Sequence, residues 1–292
     1  YETPFRLAGH DFFITPSLGI AIYPEDGSNS ELLLKHADIA MYSAKQKGRN
    51  TYACFSPEMD QIVQDRHEIE SDLRSALSDH QFSLVYQPQI DLKSGQIVGA
   101  AALLRWNHAE KGMIPPDQFI PIAEKTGLIG PIGEWVLAEA CRQNVAWANI
   151  GHPPLRIAVN LSAYQLKQTD FIKTVDRILE ETGMPKHLLE LELTESLAMD
   201  DTATNIKTLG NLKDLGIHLS IDDFGTGYSS LSYLRDLPIH RVKIDRSFIG
   251  RLQEGNHNSA IVDAIIAMAR SLGLTVIAEG VENQPQLDFL KS

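Results

Sequence analysis

Cysteine is almost absent from this sequence, which has only Cys54 and Cys141 among its 292 residues. The two lie far apart and lack the close spacing of a metal-binding pair, so neither a disulfide framework nor a cysteine-ligated zinc site is predicted. This composition is typical of a reducing compartment, and we expect a cytoplasmic location. Any membrane anchor would then belong to an upstream part of the protein.

Positive charge is also scarce, because the formal net charge is −12. Proteins that bind nucleic-acid polymers need basic surfaces to neutralise phosphates, so the composition argues against that class of partner. Long apolar runs are missing as well, since charged residues interrupt them, as Asp263 does within residues 260–269. The sequence therefore predicts no membrane-spanning helix and no membrane contact from this segment.

From about residue 81 onward the sequence alternates regularly between short apolar runs and longer helical patterns. The runs that we predict as strands are 82–86, 96–106, 156–162, 188–196, 216–223, 240–245 and 274–282. The helical patterns cover residues 132–150, 166–182, 202–215 and 260–272. This alternation predicts an α/β fold with parallel strands and crossover helices, and that many strands favour a (β/α) barrel over an open sheet.

The chain before residue 81 has a different pattern. Residues 17–24 read as a strand, and residues 26–50 as a turn followed by a helix. Residues 61–77 are charged and contain no glycine or proline, which is typical of a helical connector. We therefore predict a small domain over 1–60, a connector over 61–77 and a larger domain over 78–292.

Polar side chains stand at the end of five successive predicted strands. In chain order they are Asn160, Glu192, Glu195, Asp222, Asp223, Lys243, Asp245, Glu279 and Glu282. Barrel enzymes build their sites from the carboxyl ends of different strands, and oxygen-rich clusters suit hard divalent cations. Any one of these residues could instead cap a helix or lie in a solvated loop. Their recurrence over five strands favours a shared site.

Ordered motifs in the larger domain resemble those of the EAL domain, a family of phosphodiesterases that linearise cyclic di-GMP. They are ALLRW (102–106), VNLSA (159–163), ELTES (192–196), IDDFGTGYSS (221–230), VKIDRSFI (242–249) and AEGVE (278–282). YQPQ (86–89) and the loop at 113–124 also match. The resemblance implies a TIM-like barrel, and we expect its last strand to follow Ser292 in the whole protein.

The first 60 residues resemble the C-terminal part of a GGDEF domain, through SLGIAIYPEDG (17–27) and ADIAMYSAKQKGRN (37–50). Ala8, Gly9, His10, Asp11 and Phe12 stand where that family has its signature loop. The family also places tens of residues between that loop and SLGIA. We therefore expect chain to be missing near residues 13–14, and no cyclase activity from this degenerate segment.

The EAL resemblance also implies the roles of individual residues. Asn160, Glu192, Asp222 and Glu279 would hold one Mg²⁺ or Mn²⁺, and Asp222 would bridge to a second ion with Asp223. Lys243 would orient the attacking water. Residues that would contact cyclic di-GMP are Gln87, Leu104, Arg105, Pro115 and Asp245. Glu195 and Glu282 would support these groups from behind, and family members commonly form homodimers.

One position departs from the family pattern. Ala101 stands where the metal-binding glutamate of the signature is expected. A methyl group cannot coordinate a cation, so the departure predicts weaker metal binding and very slow turnover, with substrate contacts kept. We interpret it as an engineered, inactive form of a working phosphodiesterase. The alternatives are a non-catalytic cyclic di-GMP receptor and a module that only dimerises.

Overall fold

The computed structural model of the chain describes residues 5–7, 10–12, 15–200, 202–227, 231–252 and 256–291. Within these residues the chain divides into two units, 1–74 and 75–292. The expectation about chain missing near residues 13–14 lies outside the described residues, and the domain boundaries at 60 and 77 stay a prediction. Among the described residues, no helix has the length and apolarity needed to cross a membrane.

The first unit contains two small sheets and a packed helix. Its elements are β1 (Phe5–Leu7), β2 (His10–Phe12), β3 (Leu18–Ile20), α1 (Ser30–Gln46), β4 (Tyr52–Cys54) and α2 (Pro57–Ala76), which runs across the unit boundary. β1 pairs antiparallel with β2, and β3 pairs parallel with β4. Helix α1 packs so closely on β3 that a Cβ at Gly19 would lie 1.9 Å from the Ala37 carbonyl oxygen.

Two predictions in this unit need correction. The strand expected over 17–24 spans only residues 18–20, because a turn follows and Pro24 cannot donate to a strand ladder. The connector helix expected over 61–77 begins earlier, at Pro57. Proline suits the first helical turn, where its missing N–H has no partner within the helix.

The second unit is one sheet with helices around it. Its elements are β5 (Phe82–Ile90), β6 (Ile97–His108), β7 (Gly112–Ile114), α3 (Pro116–Thr126), α4 (Ile129–Asn149), β8 (Arg156–Asn160), α5 (Ala163–Leu166), α6 (Phe171–Thr182), β9 (Leu189–Thr194), α7 (Glu195–Met199), α8 (Thr202–Asp214), β10 (His218–Phe224), α9 (Leu231–Asp236), β11 (Arg241–Ile244), α10 (Arg246–Gly250), α11 (Asn256–Ser271), β12 (Thr275–Ala278) and α12 (Gln284–Lys291). The strand order is β12-β11-β10-β9-β8-β6-β5, and β7 pairs with β6.

The expectation that all these strands are parallel is wrong for the first pair. β5 and β6 are antiparallel, and so are β6 and β7, whereas β6, β8, β9, β10, β11 and β12 form parallel pairs in that order. The connection from β5 to β6 covers only residues 91–96. That is too short for a crossover, which needs about a dozen residues or more, so the two strands form a hairpin.

The sheet is strongly curled, which confirms the predicted TIM-like class. Arg241 of β11 donates from Nη1 to Gln89 Oε1 of β5 at 3.4 Å, although four strands lie between them in the pairing order. In a flat sheet strands five steps apart would lie about 24 Å from each other, beyond the reach of two side chains. The structure thus has the mixed, curled sheet of a half-barrel surrounded by helices.

The strand-to-helix junctions explain most remaining differences from the predicted bounds. β9 ends at residue 194 rather than 196, because the Thr194 side chain accepts from the Leu197 N–H and begins α7. The helix predicted over 166–182 is two helices, α5 and α6. A capping box of Ser162 with Gln165 begins α5, and Thr169 and Asp170, which favour turns, stand in the break before α6.

Candidate active site

Lys243 is the centre of the polar cluster at the carboxyl ends of β9 to β12. Its Nζ lies 2.9 Å from Glu192 Oε2, 3.0 Å from Asp222 Oδ2 and 2.8 Å from Glu279 Oε1. The lysine side chain is only 5% exposed, and that of Glu192 is 1% exposed. Side chains from near the carboxyl ends of four neighbouring strands therefore meet around one buried ammonium group.

The electrostatics of this cluster reflect an excess of negative charge in a buried place. Burial raises the pKa of Glu192 to about 7, with Asp222 adding to the rise and Lys243 opposing it. Burial by itself lowers the pKa of Lys243, but the carboxylates of Glu192, Asp222 and Glu279 together raise it above the ordinary lysine value. Lys243 is therefore charged, and the site still favours further positive charge.

A bulge in β10 turns two neighbouring carboxylates toward the same side. Successive residues of a strand normally face opposite sides. Between Ile221 and Phe224, however, β10 has one residue more than β11, and Asp223 adopts φ 52°, in the left-handed region. As a result Asp222, Asp223 and Glu279 each offer an oxygen, all within 4.8 Å of one another. Such bulges and strained residues often occur at functional sites.

Asp223 and Asp245 interact directly above this bulge. Burial raises the pKa of Asp223, and Asp222, Asp245 and Glu279 raise it further. Burial also acts to raise the pKa of Asp245, but hydrogen bonds from Ser247 and from the Asp223 side chain lower it overall. Asp245 caps α10 by accepting from the Ser247 N–H at 2.9 Å. The expected helix-capping role and a place in the acidic cluster thus coexist in one residue.

Asn160 and Ala101 lie on the neighbouring strands of the same face. Asn160 ends β8 and is in register with Glu192 of β9. Ala101 of β6 is in register with Ala158, two residues before Asn160, so its methyl group faces the same side. Among the described residues, the buried Glu192 Oε1 has no hydrogen-bond partner. A divalent cation held by oxygen ligands fits this donor set, and Ala101 contributes nothing to it.

Four of the five residues expected to contact substrate lie on β5, on β6 and at the start of α3, and the fifth, Asp245, follows β11. Gln87 is exposed on β5, directly beside Ala101. Arg105 is partly buried on β6 and donates from Nη1 to the Leu104 carbonyl oxygen at 2.8 Å. Pro115 is exposed at the N-cap of α3. The role of these residues stays a prediction.

Glu195 and Glu282, both expected to support the site, have different surroundings. Glu195 is 2% exposed, and its Oε2 accepts from the Gly225 N–H at 2.8 Å, joining the start of α7 to the chain after β10. A Cβ at Gly227 would lie 2.6 Å from Glu195 Oε1, so a larger residue there would force the Glu195 carboxylate to shift. Glu282 is exposed, and within the described chain only its backbone N–H has an assigned bond, to Gln286 Oε1.

A second buried ion pair lies below the cluster, and it was not predicted from the sequence. Glu190 lies two residues before Glu192 on β9, and Arg241 lies two residues before Lys243 on β11. Their ion pair has Nη1 2.7 Å from Oε2, and Glu190 is 1% exposed. The spacing of two residues between the charged residues on each strand could have predicted this pair, because residues two apart in a strand share one face.

Residues 70–292 match the model of the EAL domain, and residues 1–51 match that of the GGDEF domain of diguanylate cyclases. The chain belongs to the EAL-domain family. Relatives of this chain include proteins named as cyclic di-GMP phosphodiesterases.

Two curated relatives come from Pseudomonas aeruginosa. The bifunctional diguanylate cyclase/cyclic di-GMP phosphodiesterase MucR is 47% identical over 288 residues, covering 98% of this chain and 42% of MucR. The cyclic di-GMP phosphodiesterase NbdA is 43% identical over 290 residues, covering 99% of this chain and 37% of NbdA. This chain therefore spans less than half the length of either relative.

Two solved structures support the fold. The PaMucR phosphodiesterase in complex with c-di-GMP matches with a TM-score of 0.74 and 48% identity, over 77% of this chain and 91% of that chain. The structure of the EAL enzyme Bd1971 with bound cAMP and cyclic di-GMP matches with a TM-score of 0.75 and 30% identity, over 90% of this chain and 70% of that one.

Proposed function

We propose that this chain binds cyclic di-GMP at the cluster around Lys243, and that Ala101 blocks the hydrolysis to linear pGpG that this scaffold otherwise performs. The observation that carries the proposal is the meeting of Glu192, Asp222 and Glu279 around one buried lysine. Relatives at 47% and 43% identity carry the name of cyclic di-GMP phosphodiesterases, which supplies the substrate class.

Metal binding in this proposal uses the oxygen donors already described. Asn160, Glu192, Asp222 and Glu279 would hold one Mg²⁺ or Mn²⁺, and Asp222 with Asp223 would hold a second. Bound divalent ions supply neutralisation of the phosphate and a more acidic water. The choice between the two metals stays open, because oxygen ligands suit both.

The remaining side chains have roles that depend on their positions. Lys243 would hold the attacking water by hydrogen bonding and offset the negative charge that develops on the phosphate. Arg105 would donate to a non-bridging phosphate oxygen through its planar fork, which fits phosphate. Gln87 and Pro115 would help to seat a guanine, and Asp245 would also contact the substrate. The side chain of Leu104, three residues after Ala101 on β6, faces the other side of the sheet, so Leu104 would contact substrate only through its backbone.

Ala101 removes one oxygen donor and one negative charge from the face that holds the metal. Restoring the carboxylate tests the proposal. The Ala101→Glu variant should convert cyclic di-GMP to pGpG with Mg²⁺ or Mn²⁺ at a rate well above that of the parent chain, because it restores a metal ligand. Hydrolysis followed by chromatography of the linear product measures the gain.

Ala101→Gln is the matched control, because an amide has the same shape but no negative charge. It should recover much less activity than the glutamate variant. If Ala101→Glu shows no gain over the parent while both bind cyclic di-GMP, the phosphodiesterase proposal is wrong.

A cyclic di-GMP receptor that needs no metal is the second candidate. Lys243 favours the receptor, because its ammonium group lies 2.8–3.0 Å from three carboxylates and balances part of their charge without a metal ion. Calorimetric titration of the parent chain with cyclic di-GMP in EDTA distinguishes the two functions. Equal affinity with and without Mg²⁺, together with an inactive Ala101→Glu variant, would support the receptor.

Two further expectations belong to the same proposal. Homodimerisation through the surface near residues 225–230 would be measured by sedimentation of the chain with and without cyclic di-GMP. A cytoplasmic location follows from the proposed ligand, which is an intracellular second messenger in this family.

A further inference from the structure

Strands β9 and β11 are joined across β10 by two stacked ion pairs. The upper pair is Lys243 with Glu192, at 2.9 Å, and the lower pair is Arg241 with Glu190, at 2.7 Å. Each lower residue precedes its upper counterpart by two positions, so both pairs lie on the inner face, about 7 Å apart. The lower pair takes no part in the proposed chemistry, although both its charges are largely buried at a cost in desolvation.

The space between the two strands suits these particular side chains. β9 and β11 are about 10 Å apart, because β10 lies between them, and only long side chains can meet across that gap. Ser220 of β10 is in register with both Glu192 and Arg241, and it is 0% exposed. Its small side chain leaves room for the two pairs to pass over β10.

Arg241 also joins strands at both ends of the pairing order. Its Nη1 donates to Gln89 Oε1 of β5 at 3.4 Å, and its Nε donates to Thr275 Oγ1 of β12 at 3.1 Å. One planar guanidinium therefore contacts β5, β9 and β12 from its own strand. A lysine could not make these contacts together, because it lacks the rigid fork.

The Glu190 carboxylate is itself held from two sides. Arg156 of β8 approaches it with Nε 3.8 Å from Oε2, in addition to Arg241. A Cβ at Gly99 of β6 would lie 2.9 Å from Gln89 Oε1, so the absent side chain leaves space for the glutamine that Arg241 contacts. The layer thus connects the inner faces of β5, β8, β9, β11 and β12.

We propose that Arg241 and Glu190 are positioning residues, whose ion pair sets the curl of the sheet so that Lys243, Glu192 and Glu279 meet at the cation site. The proposal rests on the proposed function, since it assigns a purpose to that same site. Supporting groups of this kind typically change metal affinity by about 10- to 100-fold when removed, although they touch neither metal nor substrate.

Mn²⁺ affinity of the full chain, measured by electron paramagnetic resonance of the free ion, tests the proposal without relying on activity. Glu190→Gln keeps the shape of the side chain and removes its charge, and it should weaken Mn²⁺ binding at least about tenfold. Arg177→Met is the matched control, because it breaks exposed ion pairs with Glu181 on α6 and Glu134 on α4, away from the site. It should leave Mn²⁺ affinity unchanged.

A double variant separates positioning from stability. Glu190→Met with Arg241→Met removes both charges of this pair and leaves only Arg156, which is 28% exposed, without its carboxylate partner. It should therefore keep a thermal midpoint nearer the parent than Arg241→Met alone, which leaves the buried Glu190 charge. We expect it still to bind Mn²⁺ at least about tenfold more weakly, because the links to Gln89 and Thr275 are gone. Parent-like Mn²⁺ affinity in this double variant would overturn the proposal, as would parent-like affinity in Glu190→Gln or no measurable affinity in the parent.

The kinetic readout uses the Ala101→Glu background. There Glu190→Gln should lower kcat more than it raises KM, because all the cluster residues lie at or between strands that the pair joins, whereas two of the residues proposed to contact substrate, Arg105 and Pro115, lie outside them. An equal loss in kcat and gain in KM would contradict a positioning role. Failure of the proposed function is recognised separately, by an Ala101→Glu chain that binds Mn²⁺ and cyclic di-GMP but yields no pGpG.

Discussion

Replacing Lys243 by methionine should destabilise the metal-free chain strongly. The ammonium lies within 3.0 Å of three carboxylates, and its side chain is 5% exposed. Methionine fills a similar volume but leaves the Glu192 carboxylate, 1% exposed, without its counter-charge. Removing one partner of a buried ion pair typically costs about 3–5 kcal/mol, and we expect a loss of that size near pH 8.

The loss should be smaller at lower pH, because protonation of a carboxyl group relieves the unbalanced charge. Burial already raises the pKa of Glu192 to about 7, and loss of Lys243 would raise it further. Between pH 6 and pH 8 the folded variant would then hold a proton that the parent releases. Because the parent releases this proton around pH 7, the two chains differ by one proton over only about one pH unit of this range. At about 1.4 kcal/mol for each pH unit, the extra loss is therefore at most about 1.4 kcal/mol.

Urea unfolding in EDTA at pH 6 and pH 8 measures both quantities. Trp106, Trp135 and Trp147 are the only tryptophans of the sequence and all belong to the second unit, so their fluorescence reports on the part that contains the site. Lys167→Met is the matched control, because Lys167 and Asp200 form an exposed ion pair and should lose less than about 1 kcal/mol. A loss below about 1 kcal/mol for Lys243→Met, or a larger loss at pH 6 than at pH 8, would refute the reasoning.

Two further predictions concern glutamates of the same region. The folded-state pKa of Glu192 lies above its ordinary value of 4.5, so the folded chain binds more protons than the unfolded chain and loses stability as pH rises from about 4.5 to 7. In EDTA, Glu192→Gln should therefore reduce the fall of the thermal midpoint between about pH 4.5 and 7. An unchanged fall would show that Glu192 does not have the raised pKa. Glu195→Ala removes the acceptor of the Gly225 N–H and should cost about 1–3 kcal/mol and speed proteolysis near residues 225–227, whereas Ser196→Ala, at an exposed neighbour, should change neither.

The positions of the strands and of the polar residues at their ends could be predicted from the sequence, because both depend on local patterns. Apolar runs such as 156–162 and 240–245 mark buried strands, and side chains at the ends of parallel strands meet at one edge. The motifs around Asp222 and Lys243 also indicated the family, and both the family and the TIM-like class are confirmed. Assignment of the substrate to this chain stays a proposal.

Other features depend on the tertiary structure, because they require the distance between strands that are far apart in the sequence. Adjacent acids in a strand should face opposite sides, and only the bulge against β11 and the left-handed Asp223 bring both to Glu279. The antiparallel start of the sheet follows from the short β5–β6 connection, which the strand pattern did not reveal.

Local sequence thus determined which side chains stand at the ends of the strands, while the curl of the sheet decided which of them meet. The amino acids at 190, 192, 241 and 243 are plain in the sequence, but their pairing across β10 is not, since register and curvature arise from packing of the whole sheet. Likewise the sequence shows that position 101 has alanine instead of the expected glutamate. Only the register of β6 with β8 places its methyl group on the inner face of the sheet, the face that holds the two ion pairs.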